Sequence, residues 1–250
     1  MPRPVALVTG AGRRNGIAHA IALTLASDGW DVAFSYWRAY EHRMSLGGDP
    51  DADPVALARE IEAAGARALA VEADLADAGT PERVVEEVTG VLGPVGALVL
   101  SHSESVDSGI LDTSVESFDR HFAVNARAPW LLIRAVADRL PDSGVRIVAL
   151  TSDHVVGNMP YGASKGALDR IVIAAAGELG HLGVTANVVN PGPVDTGWMD
   201  DATRAVLVGR QPTGRLGTPD DVARLVRFLV SSDGRWITGQ RITSDGGFSI

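Results

Sequence analysis

Short, almost unbroken apolar runs punctuate this chain, and between them apolar residues recur at helical spacing. Val5 to Val8, Val32 to Tyr36, Ala68 to Val71, Ala97 to Leu100, Arg146 to Leu150 and Val184 to Val189 are the short runs. A strand covered on both faces reads this way, because neither side-chain direction meets water. Ile17, Ala20, Ile21, Leu25 and Ala26 lie on one side of a helix that closes at Gly29. Val55 to Ala64 reads as another helix, and Phe118 to Arg139 as a long one broken or bent near Pro129. After Tyr161 a helix runs through Leu168, Ile171, Val172, Ala174, Ala175 and Leu179, apolar nearly all round, which suits burial on two sides. The pattern predicts an α/β architecture: one doubly wound domain over residues 1–250, with a single parallel sheet of about seven strands and helices on both faces. Residues 39–54 are longer than a simple connection; Gly47 to Pro54 reads as an exposed acidic turn ending in a helix start, with no chemistry assigned to it.

Composition narrows the partners. The net charge of −9, from 22 basic and 31 acidic residues, argues against nucleic acid or an anionic membrane. The chain has no cysteine, so disulfides and thiolate chemistry are excluded. The first apolar run is too short for a signal segment or a membrane span, so a cytoplasmic protein is expected.

The chemistry concentrates at two places. Val5 to Val8 ends in Thr9-Gly10-Ala-Gly12-Arg-Arg-Asn-Gly16, and a helix and a second strand follow. Strand, glycine turn, helix, strand is the unit that places a pyrophosphate at a helix N-terminus. An acid at the end of the second strand would accept the adenosine ribose hydroxyls and repel a 2′-phosphate. Ser35-Tyr36-Trp37-Arg38 offers none, and Arg13 and Arg14 sit in the glycine loop. Three cations and no acid favour NADP(H) over NAD(H); the alternative is arginines that merely face solvent. The second place is Tyr161-Gly-Ala-Ser-Lys165, whose first and last side chains leave one helix face. A phenol has a pKa of about 10. A neighbouring ammonium lowers it and lets the pair move a proton to or from an alcohol oxygen.

Thr9-Gly10, Gly16-Ile17 and Tyr161-x-x-x-Lys165 together resemble the short-chain dehydrogenase/reductase family, and the likeness extends over essentially the whole chain. It implies a Rossmann fold and oxidoreduction of a small-molecule carbonyl or alcohol, with no metal. In the site it implies, Tyr161 is the general acid/base, Lys165 tunes it and binds the ribose, Ser152 polarises the substrate oxygen, and Asn125 holds a water that links the lysine to solvent. Gly10, Gly16, Ile17, Tyr36, Asp74, Leu75 and Ser101 fall, with the three arginines, where the family holds its cofactor; Asp74 would contact the adenine amino group or simply cap the next helix. Pro191, Gly192, Val194 and Thr196 resemble the segment beside the nicotinamide, with Thr196 on the carboxamide. Trp198 and Met199 fall where the family has a mobile lid; the alternative for an aromatic and a methionine here is a core or subunit contact. Gly214 to Val222 and Asp245 to Gly247 match its C-terminal end. In the family the helix after the tyrosine packs against another subunit, which implies a homotetramer or homodimer. The likeness to 3-oxoacyl carrier-protein reductases is broad.

Departures are as plain as matches. The glycine loop is two residues longer than the family's when Gly16-Ile17 is aligned, and Ala18 replaces the last glycine. Leu100-Ser-His-Ser103 stands in place of N-N-A-G, where Ser101 could supply one polar contact and His102 reads as a structural hydrogen-bonder or, alternatively, a base. Ser152 is nine residues before Tyr161, closer than the family's usual interval. These departures motivate an alternative: a cofactor-binding sensor that turns over no substrate.

Overall fold

The computed structural model describes residues 3–44 and 47–250; Met1, Pro2, Ser45 and Leu46 lie outside the described residues, the last two within the 39–54 connection. Seven strands form one parallel sheet: β1 (Val5–Thr9), β2 (Asp31–Tyr36), β3 (Ala68–Glu72), β4 (Val95–Leu100), β5 (Arg146–Leu150), β6 (Thr185–Asn190) and β7 (Arg241–Thr243). Their order is β3-β2-β1-β4-β5-β6-β7. The chain starts in the middle, winds outward to β3, then returns and winds the other way from β4. The order therefore reverses between β1 and β4, and the carboxyl ends of those strands flank a crevice.

Side chains alternate across the sheet. In β1, Val5 and Leu7 enter one core, and Ala6 and Val8 the other. The first core is covered by α4 (Thr80–Val91), α6 (Ala128–Ala137) and α7 (Met159–Leu179), through Val84, Val88, Leu132, Val136, Leu168 and Val172. The second is covered by α1 (Ile17–Ser27), α3 (Asp53–Ala63) and α9 (Pro219–Val230), through Ile21, Leu25, Leu57, Ile61, Val222 and Val226. Ile21 and Leu25 are wholly buried, and each such side chain contributes about 1.5–3 kcal/mol. The expected fold, a single parallel sheet of about seven strands with helices on both faces, is the observed one. Among the described residues no helix is long and apolar enough to cross a membrane.

Two segments differ from the sequence expectation. Residues 39–54 are not only a turn, because α2 (Arg38–Met44) occupies their start, and Glu41 and Asp53 are buried. Both carboxylates fold back toward the glycine loop, so this segment carries polar contacts that its acidic composition concealed. The long middle helix is perturbed near Pro129, as expected, but not at the proline itself. It runs as α5 (Val115–Phe122), a π-helical turn at Ala123–Arg127, and then α6. The irregularity comes one turn before the proline, and Asn125 sits inside it. The remaining helix, α8 (Asp201–Arg210), follows the Thr196 loop.

Candidate active site

The glycine loop fits a bound pyrophosphate. Gly10 has φ +82°, and a Cβ there would lie 2.6 Å from the Cα of His102. Only glycine lets β1 and β4 approach so closely at the crevice. Gly16 caps α1 in an extended conformation with no side-chain cap, which leaves the first-turn N–H groups free for an anion. The longer loop thus runs from Gly10 and Arg13, which line the crevice, to an α1 N-terminus without a side-chain cap.

The three arginines separate. Arg13 lines the crevice, pairs with Glu41 at 3.0 Å and reaches the Thr196 carbonyl at 3.5 Å. Arg14 does not line it: Asp53 takes its backbone N–H at 2.9 Å, and its guanidinium pairs with Glu60 on α3 at 3.1 Å. Arg38 packs 5.2 Å over the Tyr36 ring and pairs with Asp51 at 3.2 Å and with Glu72. Carboxylates from outside β2 thus hold two of these arginines in place, Glu41 from α2 on Arg13 and Glu72 from β3 on Arg38. Burial pushes the Glu41 carboxyl up, against the opposing pull of Arg13.

Asp74 does not cap α4, whose N-cap is Gly79. It accepts the Ala76 N–H at 2.9 Å and pairs with Arg120 at 3.1 Å. Leu75 and Ser101 line the same crevice, and Ile17 opens α1. Across the sheet, Asn190 accepts the Gly192 N–H at 3.2 Å, and Gly192 has φ +62° with room for no Cβ against Asp245. Pro191 is half-buried, while Val194 is buried and bridges Gly217. That fixes the loop whose Thr196 carbonyl meets Arg13. Trp198 is exposed, and Met199 is half-buried.

His102 is a structural clasp. Its Nε2 lies 3.0 Å from the Val124 carbonyl and its Nδ1 2.6 Å from the Thr9 hydroxyl. A carbonyl only accepts, so Nε2 carries the proton and Nδ1 accepts from Thr9. Burial, with Lys165 nearby, depresses the ring to about 3 and keeps it neutral. The π-helical turn makes this clasp possible. Ala128 N–H bonds to the Ala123 carbonyl, one residue further back than in an α-helix, which releases Val124 for the histidine. Pro129 has no N–H to return to the Asn125 carbonyl. The Asn125 side chain is fully engaged: Oδ1 accepts the Glu104 N–H at 2.7 Å, and Nδ2 donates to the Glu104 carbonyl at 2.8 Å and to Ser164 at 2.9 Å.

Ser152, Tyr161 and Lys165 come together at the ends of β5 and α7. The short connection closes because residue 162 is glycine; a Cβ there would lie 2.2 Å from the His154 carbonyl. Burial pushes the Tyr161 phenol up, while hydrogen bonds from the side chains of Ser152 and Ser103 oppose the rise. Lys165 Nζ lies 5.7 Å from the Tyr161 ring centroid and donates to the Leu150 carbonyl at 2.9 Å. Burial lowers its ammonium to about 8, against Asp169.

Sequence reasoning missed Glu41, Ser103, Glu104 and Arg120. Glu104 was open to notice, since it stands one place beyond the Ser-His-Ser departure that drew attention. Arg120 carried no local signal, because its partners Glu104 and Asp74 are 16 and 46 residues away.

Comparison with known proteins agrees with this geometry. A family model described as enoyl-(acyl carrier protein) reductase matches residues 10–249. An uncharacterized oxidoreductase of Bacillus subtilis (strain 168) is 37% identical over 98% of this chain and 96% of its own. A blue fluorescent protein from a metagenomic library, solved in complex with NADPH, superposes with TM-score 0.88 at 35% identity, covering 100% of this chain and 99% of that one. The angucycline C-6 ketoreductase LanV, solved with bound NADP, gives TM-score 0.86 at 32% identity over 98% and 95%. With a glycine loop opening onto a switch-point crevice and a tyrosine–lysine pair one helical turn apart on α7, this chain belongs to the short-chain dehydrogenase/reductase family.

Proposed function

We propose that the chain is an NADP(H)-dependent oxidoreductase that reduces a carbonyl to a secondary alcohol, or runs the reverse, as one unit spanning residues 1–250. The observation that carries this reading is the placement of Tyr161 and Lys165 one helical turn apart, with the Lys165 ammonium 5.7 Å from the Tyr161 ring centroid, while burial pushes the phenol's pKa up. A protonated phenol is the donor form that reduction needs. Bound nicotinamide supplies the hydride chemistry. Tyr161 gives its proton to the substrate oxygen, and Ser152 hydrogen-bonds that oxygen as charge develops on it. Lys165, depressed to about 8, can return a proton near neutral pH. The Asn125 carbonyl, spared an N–H from Pro129, is the acceptor suited to a relay water.

Gly10, Gly16, Ile17, Ser101, Leu75 and the uncapped first turn of α1 would hold the phosphates and adenosine; Arg13, Arg38 and Tyr36 favour the 2′-phosphate; and Pro191, Gly192, Val194 and Thr196 would frame the nicotinamide. The NADPH and NADP carried by the similar solved proteins support that preference. A homodimer or homotetramer in the cytoplasm fits the half-exposed Trp130 and the apolar groove it forms with Phe122 and Ile171.

The test is a spectrophotometric screen of NADPH consumption against ketones, aldehydes and 3-oxoacyl thioesters. Turnover of at least one class is expected. Tight NADPH binding with no turnover across the panel would overturn the enzyme reading in favour of a cofactor sensor.

A further inference from the structure

Glu104 is 2% exposed. Its carboxylate pairs with Arg120 at 3.0 Å and with Arg43 from α2. Arg120 lies 4.5 Å over the Trp37 ring and also pairs with Asp74. Glu104, Trp37, Asp74 and Arg120 all line the cofactor crevice. The main chain of the same residue points the other way. Both its N–H and its carbonyl are held by the Asn125 side chain, which also bonds Ser164, next to Lys165. Its neighbour Ser103 donates its hydroxyl to the Glu104 carbonyl at 3.3 Å and acts against the rise of the Tyr161 phenol's pKa.

We propose that Glu104 is a positioning residue that ties the α2 wall of the cofactor crevice to the Asn125 end of the site. Its side chain fixes two cations in the wall, and its main chain is clamped by Asn125. Cofactor seating and relay placement are then set by one residue. Such a charge, fully paired and buried, gives little net stability but strong geometric definition. The inference rests on the proposed oxidoreductase reading.

Glu104→Gln keeps the shape and removes the charge. NADPH affinity, measured by fluorescence titration without substrate, should fall about tenfold, the scale of one lost charge-assisted hydrogen bond. The kcat should fall as well, and Glu104→Asp should restore part of both. In an Asn125→Ala background Glu104→Gln should still weaken NADPH binding but no longer lower kcat, because the link is already cut. A purely structural role would lower thermal stability and leave the folded fraction's constants within about twofold. That result, or an equal kcat loss in both backgrounds, overturns the proposal. Should Glu104→Gln fail to fold, Arg43→Met removes one pair from a partly exposed side chain. It should weaken NADPH binding, and unchanged affinity would overturn the proposal. Wild-type protein that binds NADPH and turns over nothing would defeat the enzyme reading while leaving the binding arm intact.

Discussion

The two ends of the crevice are built by different rules. At the Tyr161 end the pair's own contacts are near in sequence, although Asn125 reaches Ser164 across 39 residues: Ser164 donates to the Tyr161 carbonyl three residues back, and Lys165 reaches Leu150 at the end of the preceding strand. At the Arg13 end the partners are remote: Glu104 meets Arg43 across 61 residues, and Arg120 meets Asp74 across 46. The first end follows from a helix period and a strand terminus. The second is an ion-pair lattice that only the folded chain assembles. The Tyr161 end should therefore fail all at once when one group is removed, and the Arg13 end by degrees.

The sharpest break is Tyr161→Phe. It removes one oxygen and little volume, so the fold survives. The proton donor disappears, and kcat should fall about 10²–10⁴-fold with NADPH affinity unchanged. A variant keeping more than about a tenth of wild-type kcat would place the acid elsewhere. Lys165→Met should cost less in kcat but weaken cofactor binding too, since the ammonium is proposed to hold the ribose. Steady-state kinetics beside a fluorescence titration separates the two patterns.

The same contrast decides what the sequence revealed. The sheet was legible because strands buried on both faces leave continuous apolar runs, as in Val5 to Val8 and Arg146 to Leu150. The Tyr161–Lys165 pair was legible because four residues on a helix define a geometry. Glu41 was not, since its segment read only as a long connection and burial beside Arg13 is a tertiary event. The π-helical turn was hidden as well. Pro129 announced a perturbed helix but not that Val124 would release its carbonyl to His102. In the lattice, charge alone told nothing about direction: Arg13 and Arg14 are adjacent in sequence, and only one lines the crevice.

That adjacency supplies a second break, smaller than the first. Arg13→Met should weaken NADPH binding about tenfold, and NADH binding less, because a charge-assisted contact to the 2′-phosphate is lost. Arg14→Ala, which removes an exposed pair with Glu60, should leave both affinities within about twofold. Equal losses from the two substitutions would show that the loop's net charge, not its geometry, governs cofactor choice.

The gentlest probe concerns the clasp where the two ends meet. His102 is neutral in the fold, with its pKa near 3 against an ordinary 6.5. Between those values the unfolded chain binds a proton that the folded chain does not. Stability therefore rises with pH through this window; the contribution is complete above 6.5 and is lost as pH falls toward 3. His102→Asn cannot titrate. At pH 7 it should melt a few degrees below wild type, having lost the Thr9 and Val124 contacts of the larger ring. As pH falls below 6.5 the wild type carries an acid penalty that the variant lacks, so the gap should narrow. Thermal melts from pH 7 down to pH 4 read this directly. A gap that stays constant would mean that the folded protein accepts a proton on His102. The neutral Nε2–H tautomer, and with it the clasp between β1, β4 and the π-helical turn, would then be wrong.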